Sequence, residues 1–594
     1  GVKKIVVLTD DLAKYNKNSG LAGNAEVHDR EELPETMREL AAIPGVTVIV
    51  YDQQCAAEKR RMRSRGKAVE PTARLVIHEQ VCEGCGDCVR QSSCMSLQPV
   101  QTEFGQKTRI HQSSCNKDYS CALGDCPSFV TVKIKEGTGL RKKGPLQLPA
   151  ITVEPPREKA AMGESYSILS PGIGGTGVVT INALLATAAW IDGFSAITLD
   201  QTGLAQKGGA VLSSIVLSER PIEGSAKIGY GNADLLLGFD LLGAGAPDNL
   251  NRAHPSRTVA VVNTAETPTV SSIRGLTILS GPRHVVQAIE AHTRPGRNVF
   301  VDATRIAEGL FASHLAVNVF LMGIAYQGGL IPLSAAAIEE AIRLNGVEAQ
   351  RNIEAFTWGR KYYDDARFVE DLLAPRSAPP APLDAITLRV GELERYQDQK
   401  YAVQYRDFVD RVAAREPALA EPVARYLYKL MAYKDEYEVA RLLTKPEFRE
   451  ELERQWERVE SVSYNLHPPL LRAFGWKKKL KLGPWFRGPL TVLARMKGLR
   501  GSALDLFGYA AHRREERALI DWYRDLIERV LAALTDENLT LAMELAALPD
   551  QIRGYEDVKQ ANIARVKSLA EAKLAQMDVA HALLRAVSPL VGTP

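Results

Sequence analysis

Eight cysteines occur in the 594-residue chain, and seven of them fall between Cys82 and Cys126. The first group reads Cys82-Glu83-Gly84-Cys85-Gly86-Asp87-Cys88, with Cys94 beyond it. The second reads Cys115-Asn116-Lys117-Asp118-Tyr119-Ser120-Cys121, with Cys126-Pro127 beyond it. Three thiolates separated by two residues can wrap one face of an iron–sulfur cube, and the glycines admit the tight turn this needs. In a two-cluster ferredoxin the fourth thiolate comes from the other half, just before a proline. That rule gives a first 4Fe-4S cluster to Cys82, Cys85, Cys88 and Cys126. The alternative is a structural zinc site, which usually takes two separated Cys-x2-Cys pairs. The triple spacing fits zinc poorly.

Laid over the first group, the second places Asp118 where the middle cysteine would stand. A second cluster would be held by Cys94, Cys115 and Cys121, with Asp118 in the fourth place. A carboxylate is a harder ligand than a thiolate, so a four-iron cluster with one oxygen ligand, a three-iron form, and a decayed site whose cysteines only fill space all stay open. Cys94 also departs from the pattern: five residues separate it from Cys88, and no proline follows it.

A second constellation is the glycine run Gly172-Ile173-Gly174-Gly175-Thr176-Gly177, which follows a strand-like segment and precedes an apolar helix-like one, Val178–Ala189. Such a loop lets backbone approach a phosphate at a helix N-terminus. With Asp200 at the end of the next strand it resembles a dinucleotide fingerprint, so an NAD(P)- or flavin-linked electron-transfer subunit is one reading. The plainer reading is a tight strand-to-helix turn. A second glycine-rich stretch, Gly203-Leu-Ala-Gln-Lys-Gly-Gly209, runs on from Asp200, and a dinucleotide site does not account for it. No catalytic residue is assigned from the sequence.

The elements that must hold these groups point to a multidomain α/β plus α chain. Residues 1–75 alternate short strands with one helix and look like the end of an α/β domain. Residues 76–135 hold the cysteine module, and residues 158–370 form a second, Rossmann-like α/β domain. A proline-rich linker at 374–382 leads to a mostly helical region, 385–594, whose apolar positions recur at helix spacing. Its stripes read as core. Opening at Gly1, directly into a strand, suggests a piece of something longer.

Composition narrows the function classes. Lys and Arg number 74 against 71 acidic residues, a net charge of +3, which offers no general attraction for nucleic acid or membrane surfaces. The basic run Lys59–Arg65 has no interleaved aromatics and reads as a solvated face. No apolar run reaches the roughly 20 residues of a membrane span; the longest, Phe311–Ala325, is interrupted by His314 and Asn318. Without a signal peptide, the cysteine cluster fits metal ligation in a reducing, cytoplasmic compartment better than disulfides. Cys55, outside the module, reads as structural or pocket-lining.

Taken in order, Asp52-Gln-Gln-Cys55-Ala-Ala-Glu-Lys-Arg-Arg, the cysteine module, Gly172-Ile-Gly-Gly-Thr-Gly-Val-Val and Gly203-Leu-Ala-Gln-Lys-Gly-Gly-Ala-Val resemble the 2-oxoacid:ferredoxin oxidoreductases, in particular their fused bacterial indolepyruvate form. The resemblance spans essentially the whole chain. It implies that residues 1–75 end a thiamine-pyrophosphate-binding domain, that 76–135 are its electron exit, and that 158–370 are a gamma-type domain near the active site without NAD. It implies an enzyme that oxidatively decarboxylates an arylpyruvate to an acyl-CoA. Thiamine pyrophosphate and Mg²⁺ would sit on an N-terminal portion of the same enzyme, with CoA as co-substrate, ferredoxin as acceptor and a homo-oligomeric assembly. No G-D-G…N-N segment for magnesium and pyrophosphate occurs in these residues.

Overall fold

The computed structural model describes the chain outside residues 17–18, 95, 142–145, 204–208, 266–281, 314–315, 375–383, 468–478 and 588–594. The proline-rich linker from 375 and the centre of the second glycine stretch lie outside the described residues. The chain divides into two compact units, Gly1–Pro71 with Asn116–Asp118, and Thr72–Cys115 with Tyr119–Pro594.

The first unit is a three-stranded parallel sheet of order β2-β1-β3, with β1 at Val2–Thr9, β2 at Ala25–Asp29 and β3 at Val46–Asp52. The centre strand ends in a buried run, Val6, Val7 and Leu8, and Leu40 of the helix Leu33–Ala41 packs with Val6 and Leu8 on one face of it. That helix carries the chain from edge strand β2 past the central β1 to the opposite edge strand, β3, so that both lie parallel to β1. The basic run sits on the helix Ala56–Ser64, where Lys59 reaches Asp10 at 2.8 Å and Arg61 reaches Glu58 at 2.5 Å. Cys55 is exposed at the N-cap of this helix.

The second unit has three regions, each with its own buried core among the described residues. The cysteine module lies between β4 (Ala73–Ile77) and β7 (Phe129–Ile134), and contains the hairpin of β5 (Leu97–Thr102) and β6 (Gly105–Ile110). Two distant strands, β14 (Val459–Leu466) and β15 (Leu480–Leu482), extend its sheet to the order β15-β14-β7-β4. The mostly helical region is therefore not separate from the module. Val130, Val132 and Ile134 share a core with Leu442, Leu443, Trp456 and Tyr464, while Phe129 on the other face of β7 joins the core of the cysteine module.

Residues 166–301 form a six-stranded sheet of order β13-β12-β11-β8-β10-β9. Its strands are β8 (Tyr166–Ile173), β9 (Ser195–Thr202), β10 (Ala210–Ser218), β11 (Leu235–Gly238), β12 (Val259–Asn263) and β13 (Val299–Val301). β8 is parallel to β11 and antiparallel to β10. The helix Val178–Ile191 packs on this sheet, and within the apolar run 311–325 the helix Val317–Gln327 is buried at every residue. No helix among the described residues is long and apolar enough to cross a membrane. The third core joins the helices Gln399–Arg415, Pro417–Met431, Ala511–Ala532 and Glu556–Val587.

Candidate metal centre

The first cysteine loop leaves β4 through His78, whose carbonyl accepts from the N–H of Cys82 at 2.9 Å. Two left-handed residues, Gly84 (φ 61°) and Gly86 (φ 73°), then turn the chain into the helix Asp87–Ser92, which carries Cys88. A side chain at Gly84 would strike the Gln106 carbonyl and lie 2.7 Å from Arg553. The glycine is required both by its φ and by that approach. Its N–H donates to Cys82 Sγ at 3.3 Å, the kind of bond that stabilises a sulfur carrying negative charge.

The second cysteine loop repeats this backbone without the glycines. Lys117 (φ 58°) and Tyr119 (φ 64°) take the left-handed conformation at the positions matching Gly84 and Gly86. A non-glycine residue held there costs on the order of 1 kcal/mol or more, so the shared turn is a property of the loop and not of its glycines. Asp118 occupies the place of Cys85, in the stretch Asn116–Asp118 that groups with the first compact unit. Cys94 follows the helix stop at Ser93 (φ 47°), and its N–H is held by Ser92 Oγ at 3.2 Å. That stop explains its wider spacing from Cys88.

Six of the module's cysteines join one core cluster. Cys82, Cys88 and Cys121 are buried with Leu75, Ile77, Val89, Leu97, Ile110 and Phe129, and Cys94, Cys115 and Cys126 pack against them. Cys85 stands within electrostatic reach of Cys126 and Cys82. Burial pushes the Cys85 thiol up to about 12, with Cys126 adding to it. It likewise pushes Cys126 to about 11, with Cys82 adding, and moves Cys88 in the same direction. Buried thiols of this kind become thiolates only beside compensating positive charge. Among the described residues, no three Cys, His, Asp or Glu side chains converge as they would around a single ion. The donor set of sulfurs in an apolar pocket fits an iron–sulfur cube, which Cys82, Cys85, Cys88 and Cys126 would hold.

Several residues around the module gave no local sequence signal. Lys479 Nζ donates to the carbonyls of Cys126 at 2.7 Å and Ala122 at 3.1 Å, and Lys107 Nζ donates to that of Cys82 at 2.8 Å. Tyr555 Oη donates to Val81 O at 2.5 Å, and His467 pairs with Asp125 at 2.9 Å. Most of them reach the loop from hundreds of residues away, so only the tertiary fold brings them there.

The glycine loop 172–177 sits at the carboxyl end of β8. A Cβ at Gly172 would come within 2.5 Å of Val178 Cγ2 and 3.2 Å of Phe239 Cβ. Gly174 N–H is taken by Gly209 O at 2.7 Å, and Thr176 O accepts from Asn318 Nδ2 at 3.0 Å. Gly175 and Gly177 have φ of 85° and 95°. In a dinucleotide fold the ribose carboxylate stands on the strand next to the glycine loop. Here β10 intervenes, so Asp200 on β9 is two strand spacings away, about 9–10 Å. Its Oδ1 already accepts from Asn182 at 3.0 Å and from Ser213. Gly172 thus serves close strand-to-helix packing, and this topology counts against a nicotinamide or flavin site at Gly172, Gly174, Gly175 and Gly177.

A sheet of parallel and antiparallel strands, with a glycine loop braced from within and helices against it, makes residues 166–301 an α/β domain. Residues 167–362 match the family model described as pyruvate ferredoxin/flavodoxin oxidoreductase, and residues 383–572 match a family of unknown function, DUF6537. The chain is similar to the indolepyruvate oxidoreductase subunit IorB of Pyrococcus horikoshii, 26% identical over 200 residues that cover 33% of this chain and 96% of that protein. The IorB subunit of Methanothermobacter thermautotrophicus is 28% identical over 185 residues, covering 30% of this chain and 88% of that protein. The solved gamma subunit of a keto/oxoacid ferredoxin oxidoreductase from Geobacter sulfurreducens is 21% identical with a TM-score of 0.24, covering 33% of this chain and 98% of that one. Residues 167–362 thus carry a domain that matches the pyruvate ferredoxin/flavodoxin oxidoreductase family, and the similarity to the IorB subunits covers about a third of the chain.

Proposed function

We propose that this chain is the iron–sulfur electron-transfer half of a thiamine-dependent 2-oxoacid:ferredoxin oxidoreductase that acts on arylpyruvates, indolepyruvate among them. The observation that carries this is the gathering of six of the module's seven cysteines into one core cluster in the same chain as a pyruvate ferredoxin/flavodoxin oxidoreductase domain. The similarity to indolepyruvate oxidoreductase subunits supports the substrate class. In this account residues 1–75 end the thiamine domain, 76–135 are the ferredoxin-like module, 158–370 the gamma-type domain and 385–594 the helical domain. Thiamine pyrophosphate and Mg²⁺ sit on a further portion of the enzyme, CoA is co-substrate, and the enzyme works as a cytoplasmic homo-oligomer.

A 4Fe-4S cluster held by Cys82, Cys85, Cys88 and Cys126 supplies single-electron transfer. The protein's own groups set how readily it is reduced. Lys107 and Lys479 place positive charge beside the carbonyls of Cys82 and Cys126, and the Gly84 N–H bonds the Cys82 sulfur. Each favours the more negative, reduced state and so raises the potential. Burial of the loop under Phe129 and Leu97 excludes water and works the other way, because a low dielectric disfavours added charge. Cys94, Cys115, Cys121 and Asp118 would hold a second cluster.

The test is electron transfer to ferredoxin from the anaerobic chain after reduction with dithionite and removal of excess reductant. Ferredoxin should be reduced as the chain's iron–sulfur absorbance returns. A reduced chain that leaves ferredoxin oxidised would contradict the assignment.

A further inference from the structure

A cleft of about 180 Å³ lies beside the first cysteine loop, between the β5–β6 hairpin and the C-terminal helices. Six cations line it, Lys107, Arg389, Arg425, Lys429, Lys434 and Arg553, against three carboxylates, Glu83, Glu103 and Asp550. Asp550 is already taken by Arg553, which donates to its two carboxylate oxygens at 2.7 and 2.8 Å. Of the remaining cations, Arg425 pairs with Glu421 at 3.2 Å and Lys434 stands 4.0 Å from Glu438, whereas Lys429, Arg389 and Lys107 have neutral hydrogen-bond partners, with Glu83 the carboxylate shared between Lys107 and Lys429. Lys429 Nζ donates to the backbone carbonyls of Pro549 and Asp550, both at 2.8 Å. Arg389 is buried against the phenol of Tyr405, and Lys107 is buried with its ammonium on the Cys82 carbonyl. Carbonyls and phenols satisfy donors but do not cancel charge, and uncompensated charge in a cleft is costly.

Burial, reinforced by the guanidinium of Arg553, pulls the Lys429 ammonium down to about 7, against the opposing pull of Glu83 and Asp550. One wall is flat and apolar, where Phe104 stacks on Tyr428 with ring centroids 5.5 Å apart. Several cations converging on so small a volume suit a compact ligand with more than one negative charge. Guanidinium forks match phosphate oxygens, and lysine acts on them as a point charge.

We propose that this cleft is a binding site for a small organic diphosphate, with its phosphates among Arg389, Arg425 and Lys429 and its body against the Phe104–Tyr428 wall. The charge of the cleft belongs to the chain whatever the cysteines hold, so the site stands apart from the electron-transfer assignment. Inorganic pyrophosphate is the probe, titrated calorimetrically into the full chain at low ionic strength with sodium chloride as the matched control. Pyrophosphate should bind with a Kd below about 100 μM. Arg425→Ala, at the exposed lip, and Lys429→Gln should each weaken binding at least about tenfold. The double variant Arg60→Ala, Arg61→Ala, in the N-terminal unit, should leave it unchanged. A wild-type Kd weaker than about 5 mM, an equal loss in the Arg60/Arg61 control, or unchanged binding by a natively melting Arg425→Ala would each overturn the site.

Discussion

Two glycine-bearing turns in this chain look alike in sequence and differ in what they leave available. The turn at Gly84 and Gly86 folds around cysteine sulfurs, with the Gly84 N–H donating to Cys82 Sγ and the Ser128 hydroxyl meeting Cys126 Sγ. The turn at Gly172–Gly177 has its polar groups engaged by the protein itself, through Gly209 O and Asn318 Nδ2. Asp200, nearby in sequence, is engaged by Asn182 and Ser213. A glycine motif marks close backbone approach. Whether the approach serves a ligand or the fold depends on which atoms remain uncommitted.

The contrast is broken most severely by removing a ligand. Cys126→Ser should cost the module most of its first cluster's iron and lower its melting temperature, because cluster binding and folding of the loop are coupled. The comparable change in the other region, Asp200→Asn, should alter neither iron content nor nicotinamide affinity, which should stay weaker than about 1 mM. Low-micromolar NAD(H) binding to the wild type would restore the dinucleotide reading.

A paired substitution separates the two turns more finely. Gly172→Ala meets Val178 and Phe239 and should cost about 1–3 kcal/mol through overpacking, with iron content unchanged. Gly84→Ala meets Gln106 O and Arg553 and should cost a similar amount while also lowering iron. Iron retained in full by a folded Gly84→Ala protein would mean that the loop tolerates more movement than its φ and contacts imply.

Lys429, in the cleft beside the module, gives a smaller and pH-dependent effect. Its folded pKa lies near 7, below the usual 10.5, so the folded state binds fewer protons than the unfolded one between these values. Wild-type stability therefore rises with pH across that window and is lost as pH falls through it. Lys429→Met should stabilise the chain by about 1–2 kcal/mol at pH 7, and the gain should shrink towards pH 10. Melting curves at the two pH values check this; a gain that grows with pH would contradict the sign.

Much of this was legible in the sequence because it is local. The Cys-x2-Cys-x2-Cys run, the strand before Gly172 and the helix after Gly177 lie where their spacing placed them. The repeated left-handed turn at Lys117 and Tyr119 was not legible, since non-glycine residues carry no signal for positive φ. Nor was the contribution of β14 and β15 to the module's sheet, because pairing between residues more than 300 apart leaves no periodicity. Lys479 and Arg553 approach the cysteine loop through that same long-range pairing and packing. Sequence alone also kept the nicotinamide reading open at Gly172–Gly177, and strand order counts against it: only the structure shows β10 standing between β8 and Asp200.

The central claim is that Cys82, Cys85, Cys88 and Cys126 hold a four-iron cluster, and the direct measurement is the iron, acid-labile sulfide and zinc content of the anaerobically purified chain. The account predicts iron and sulfide in equal amounts, about four per chain with the first cluster alone and about eight if Cys94, Cys115, Cys121 and Asp118 hold a second. One zinc per chain with no sulfide would contradict it.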